Sequence, residues 1–151
     1  MATTTEEAWS DQLLMRRTPQ PCVLVIFGAS GDLAHKKVFP ALYSLACRGL
    51  LPERFAVVGV ARSDNDDDGY REEMRKAVEK NARDDFRDEA WERLAPNLRY
   101  VRQDFDRLAE VLEQLDSELQ LNGNRVYYLA VPPQAFPDIV EAIGSRRSAH
   151  G

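Results

Sequence analysis

The sequence predicts an α/β fold: a doubly wound, mostly parallel sheet, incomplete, of about four strands with helices on both faces. Three observations predict it. Short apolar runs alternate with longer segments of helical periodicity. The first run, Val23-Leu24-Val25-Ile26-Phe27, is apolar on both faces, as in a central parallel strand covered on each side. A glycine turn then joins that run directly to a helix start.

The elements follow in order. Residues 1–20 read as a polar lead-in, and Thr18-Pro19-Gln20-Pro21 breaks regular structure ahead of a first strand at about 22–28. The helix after the glycine turn is expected to reach about Arg48, with Val38, Leu42, Leu45 and Ala46 on its inward face. Pro40 marks a kink or a restart in it, and Gly49 and Pro52 stop it. Phe55 to Ala61 is a second buried strand. Asp64 to Asp68 is a solvated turn or helix start, since a run of aspartates is more simply a soluble turn than a metal site. A charged amphipathic helix covers about 70–81 and a shorter one about 86–94. A third strand runs from Leu98 to Gln103. A helix over 108–121 turns Leu108, Val111, Leu112, Leu115 and Leu119 inward. A fourth strand spans Arg125 to Val131, Pro132-Pro133 ends it, and a last helix covers about 134–144. The domain is expected over 21–144, with an irregular tail at 145–151.

Composition narrows the function classes. At 151 residues one domain is expected, and 44% apolar with 30% charged residues suits an ordinary globular chain. A net charge of −5 argues against nucleic acid as a partner. No apolar stretch reaches the roughly 18 residues that span a bilayer, so no membrane partner is expected. The start carries Glu6 and Glu7 without arginine, unlike a secretory or transit peptide, and a cytoplasmic location is expected. Cys22 and Cys47 read as plain buried thiols.

The chemistry lies in three places. Gly28-Ala29-Ser30-Gly31-Asp32-Leu33-Ala34-His35-Lys36-Lys37 has the strand–turn–helix context of a phosphate cradle. Its spacing is G-x-x-G-x-x-A instead of G-x-G-x-x-G, and it lacks the Gly-Lys-Ser/Thr ending of an NTPase loop. The second strand ends in Ala61-Arg62-Ser63 with no carboxylate. An acid there holds a ribose 2′-hydroxyl, whereas an arginine accommodates a 2′-phosphate, so NADP is preferred over NAD. Two lysines in the first helical turns hint at a nearby anion, because cations are unfavourable there. His35 reads equally as a solvated histidine or a ligand. Pro132-Pro133, at the carboxyl end of the fourth strand, suits a flat nicotinamide face and serves as well as a strand terminator. No catalytic residue and no metal ligand set is assigned.

Together these segments resemble glucose-6-phosphate dehydrogenase. Gly28 to Pro40 is similar to the fingerprint G-A-S-G-D-L-A-K-K-K-hydrophobe-aromatic-P, with His35 in place of a lysine. Gly49-Leu50-Leu51-Pro52, Gly59-Val60-Ala61-Arg62-Ser63 and Tyr128-Leu129-Ala130-Val131-Pro132-Pro133 match further motifs in the same order, from about Val23 to Ile143. The resemblance implies a Rossmann-type domain with NADP on the loop Gly28, Ala29, Ser30, Gly31, Asp32, Leu33, Ala34 and His35. It implies Lys37 near the cofactor, Arg62 and Ser63 on the 2′-phosphate, and Asp104 bordering the adenine. Ala130, Pro132 and Phe136 then lie at the nicotinamide end, Phe136 standing where some members carry tyrosine. The implied reaction is hydride transfer from C1 of glucose 6-phosphate to NADP, at the entry of the oxidative pentose phosphate pathway. The family's E-K-P-F-G strand, its R-I-D-H-Y-L-G-K-E segment and its catalytic histidine are absent. The chain therefore looks like the first third of such an enzyme, inactive alone and binding sugar phosphate only with the missing domain. The alternative is a stand-alone NADP(H)-binding or sensing module, or one half of a split dehydrogenase. Either way, the hydrophobic fourth strand becomes an edge and a site of self-association.

Overall fold

Phe55–Ala61 is buried along its whole length, and three other apolar runs line up beside it. The computed structural model describes residues 20–150, with side chains described over 20–144. Strands β1 (Cys22–Phe27), β2 (Phe55–Ala61), β3 (Leu98–Arg102) and β4 (Arg125–Leu129) form one sheet in the order β3-β2-β1-β4. Every pairing is parallel, with Ile26 opposite Gly59 on one side and Tyr128 on the other.

Alternation along the strands divides the core between the two faces. Val23, Val25, Phe27, Ala56, Val58 and Val60 pack beneath α4 (Phe105–Leu119) and α5 (Phe136–His150). Ile26, Phe55, Val57 and Ala61 pack beneath α1 (Phe39–Cys47), α2 (Asp67–Ala82) and the short α3 (Asp88–Trp91). Trp91, Tyr70 and Phe39 are the largest fully buried side chains, and all three lie in this second layer.

The first helix restarts where Pro40 interrupts it. A π-helical turn over Ala34–Val38 precedes α1, and Pro40 falls in the first turn of α1. A widened turn relieves the clash between a proline ring and the carbonyl four residues back. It also shifts the helical phase: Phe39, Leu42, Tyr43 and Ala46 are buried, while Leu45, expected inward, is 37% exposed.

Caps explain the other boundary differences. Asp66 caps α2 by accepting from Gly69 N at 2.6 Å, and Asp104 caps α4 by accepting from Asp106 N and Arg107 N at 3.0 and 3.2 Å. Each helix thus begins three residues before its apolar pattern does. The expected irregular tail is corrected: α5 continues to His150. No proline interrupts Gly144 to His150, and an interior glycine costs only about 1 kcal/mol. Among the described residues, no helix is long and apolar enough to cross a membrane, and no cluster of three metal-ligating side chains occurs.

Candidate functional site

Because all four strands run the same way, the segments after them meet along one edge of the sheet, where ligands of doubly wound folds bind. Gly28 is the joint. Its φ is +82°, and a Cβ there would lie 2.2 Å from Ala130 O, so only glycine fits between the ends of β1 and β4. Gly28 N and Ala29 N both donate to Val60 O, at 3.0 and 3.1 Å, which fastens the turn to β2. Ala130 N donates to Phe27 O at 2.8 Å on the other side.

The helix opens immediately after. Gly31 N closes the turn onto Gly28 O, and the first helical bond runs from His35 N to Gly31 O at 3.2 Å. The N–H groups of Asp32, Leu33 and Ala34 precede that bond and have no acceptor within the helix. A side chain at Gly31 would meet only Gly28 O, at 3.4 Å, so its absence leaves those donors open to approach. Ser30, Gly31, Asp32 and Leu33 are exposed here, whereas the side chains of Ala29 and Ala34 are fully buried and serve packing.

The ends of β2 and β3 are tied together. Gln103 N donates to Ala61 O at 2.8 Å, and Arg62 Nε donates to Gln103 Oε1 at 3.2 Å. This holds the exposed guanidinium along the strand ends, two residues beyond the Val60 carbonyl that anchors the glycine turn. The Tyr100 hydroxyl donates to Ser63 O and lies 3.1 Å from Ser63 Oγ. Asp104 follows Gln103, with one carboxylate oxygen engaged in capping α4. Pro132 is exposed beyond β4 and accepts from Ala135 N at 2.9 Å, and Phe136 is half-buried at the start of α5.

Two expected site residues sit apart from this crest. His35 turns toward α2: its Nδ1 lies 2.7 Å from Gly31 O and its Nε2 lies 3.2 Å from Glu73 Oε2. Lys37 is exposed on the π-helical turn. His35 lines an open groove of about 870 Å³ between that turn and α2, together with Ser30, Asp32, Lys36, Glu73 and Lys76. The groove shares Ser30 and Asp32 with the glycine loop but is not lined by Arg62, Asp104, Pro132 or Phe136.

The sequence reading missed the side chains that hold this arrangement. Tyr70 donates from its hydroxyl to Ala29 O at 2.9 Å, beneath the glycine turn. Burial pushes its pKa far above the usual tyrosine range, with Glu73 and Tyr100 adding to the shift, so the donor proton stays in place. A Cβ on Gly59 would lie 2.7 Å from the Tyr70 ring, so glycine in mid-strand makes room for it. That glycine was the available signal, since an interior strand glycine marks a close approach. Tyr100 and Gln103 carried no comparable signal.

Comparison with known proteins agrees with this fold. Residues 25–150 match the family model described as glucose-6-phosphate dehydrogenase, NAD binding domain. Glucose-6-phosphate 1-dehydrogenase 2 of Mycobacterium tuberculosis is 46% identical over 133 residues, covering 84% of this chain and 26% of that protein. Glucose-6-phosphate 1-dehydrogenase of Chlamydia pneumoniae is 39% identical over 137 residues, 87% of this chain and 27% of that protein. A solved glucose-6-phosphate dehydrogenase in complex with glucose-6-phosphate superposes with a TM-score of 0.70 at 30% identity, over 82% of this chain and 27% of that one. The enzyme from Mycobacterium avium gives 0.67 at 34% identity, over 84% of this chain and 27% of that one. The chain thus spans about a quarter of the length of the relatives it matches. It belongs to the glucose-6-phosphate dehydrogenase family and corresponds to the nicotinamide-dinucleotide-binding domain of that family.

Proposed function

We propose that this chain is the NADP-binding portion of a glucose-6-phosphate dehydrogenase, with the cofactor seated across the strand ends. The observation that carries the reading is Arg62, held by Gln103 at the end of β2, where no carboxylate competes for the 2′ position. Its free guanidinium nitrogens and the Ser63 hydroxyl form a donor set suited to a phosphate dianion. The first-turn N–H groups of Asp32, Leu33 and Ala34 offer the donors that a pyrophosphate takes. Gly28 and Gly31 let the anion approach, and Asp104 borders the adenine. Ala130, Pro132 and Phe136 form the apolar end for the nicotinamide.

Bound NADP supplies the hydride acceptor for oxidation of glucose 6-phosphate at C1. The residues named here bind and orient the cofactor, and none of them is assigned as the base that takes the C1 hydroxyl proton. The test is a titration with adenosine 2′,5′-bisphosphate and with 5′-AMP. Wild type is expected to prefer the bisphosphate by tenfold or more, as charge-assisted bonds of about 1.5–3 kcal/mol imply. Arg62→Ala is expected to erase the preference while leaving 5′-AMP affinity intact. Equal preference in the two proteins would remove Arg62 from the site.

A further inference from the structure

We propose that His35 is a positioning residue for the cofactor: as a doubly protonated ring it clasps the glycine loop to α2, and the clasp opens when the ring loses a proton. Its two nitrogens face two groups that can only accept. Nδ1 lies 2.7 Å from Gly31 O, a carbonyl, and Nε2 lies 3.2 Å from Glu73 Oε2, a carboxylate oxygen. A neutral imidazole carries one N–H and satisfies only one of them. The carbonyl has no proton to give, which assigns one N–H to Nδ1. Nε2 and Oε2 then attract each other only with a second proton between them; a neutral ring beside an ionised glutamate sets two lone pairs face to face.

Glu73 gives an independent reason for that proton. Its Oε2 is shielded from solvent, and no hydrogen bond from elsewhere among the described residues reaches it. A shielded carboxylate oxygen without a donor is costly, and the His35 ring is within reach to relieve it. The other charges near the ring balance one another. On the loop side Asp32 pairs with Lys36 at 3.9 Å, and on α2 Glu72 and Lys76 line the same groove, with Lys80 and Arg83 farther along.

The clasp bears on the cofactor through Gly31. The same Gly31 oxygen accepts from His35 N at 3.2 Å, the bond that begins the helix. Ring and backbone of one residue thus grip the carbonyl just ahead of the free N–H groups of Asp32, Leu33 and Ala34. Tyr70 of α2 already holds Ala29 O at 2.9 Å, and Glu73, one turn on, adds a second hold through the ring. With the ring charged, the loop is fixed at Ala29 and at Gly31. With the ring neutral, the second hold is lost and Glu73 stands unpaired beside the loop. Cofactor affinity therefore falls as pH rises through the ordinary histidine range, near about 6.5. This consequence rests on the reading of the loop as the pyrophosphate cradle.

Two measurements on the full chain separate the clasp from that reading. The first needs no cofactor: a double-mutant cycle of His35→Asn and Glu73→Gln, read by urea unfolding at about pH 5.5 and about pH 8.5. Both side chains reach solvent, at 27% and 39%, so the variants should stay folded. A coupling of about threefold or more in the unfolding constant is expected at the lower pH and none at the higher. The second is calorimetric titration with NADP at both pH values. Wild type is expected to bind about threefold or more tightly than His35→Asn at the lower pH and equally at the higher. The ratio of the two proteins cancels the titration of the cofactor's own 2′-phosphate. His35→Lys, whose ammonium stays charged throughout, is expected to keep the tighter binding at both. Coupling that is absent, or the same at both pH values, would overturn the clasp. The expected coupling with a flat NADP ratio would overturn the positioning role. No NADP binding at either pH would remove the cradle reading, and the positioning role with it, while the cycle still decides the clasp.

Discussion

Gly28 and Gly31 belong to the same turn, yet substitution should separate them. At Gly28 the backbone is left-handed and the place of a side chain is filled by Ala130 O at 2.2 Å; at Gly31 only Gly28 O approaches, at 3.4 Å. A left-handed alanine costs roughly 1–2 kcal/mol, and displacing the β4 end adds to it. Gly28→Ala is therefore expected to lower urea-unfolding stability by about 3 kcal/mol, and Gly31→Ala by less than about 1 kcal/mol. Equal losses would show that the turn does not depend on the contact with Ala130. Residues of this kind were legible because the chemistry is local: Gly28 turns the chain where it stands, and Arg62 follows its own strand. Tyr70, Tyr100 and Gln103 were not, because each meets a partner 37 to 41 positions away, and nothing in the intervening chain announces the encounter.

Elements were legible wherever burial dictates composition. The four strands show as apolar runs, and β2 falls on its expected residues because both its faces are covered. Helix ends depend instead on single polar side chains and were misplaced by a few residues. Asp104 illustrates the competition. The family resemblance assigns it to the adenine, while its carboxylate caps α4. Asp104→Ala is expected to lower stability by about 1 kcal/mol, and Asp104→Asn to restore it, as measured by thermal or urea unfolding. If Asp104→Asn also keeps wild-type cofactor affinity, the cap accounts for this residue. The phase shift at the π-helical turn was out of reach for a regular 3.6-residue pattern, which carried Leu45 to the wrong side. At the end of the chain, a helix without a strong apolar stripe gave no periodicity to follow, and α5 passes residue 144 unheralded.

At the scale of the whole molecule, a parallel sheet brings four separated segments to one edge, the one proposed to hold the cofactor. The glycine turn, Arg62, Asp104 and Pro132 are scattered over a hundred residues, and strand order alone brings them to the same side of the sheet. Alternating strands and helices made that order foreseeable, since right-handed crossovers leave few arrangements. The central claim is that this edge reads the 2′-phosphate of a dinucleotide, and calorimetric titration of the chain with NADP and with NAD tests it most directly. The account predicts saturable NADP binding at one site per chain, at least tenfold tighter than NAD. Equal affinities, or no binding of either by a folded sample, would contradict it.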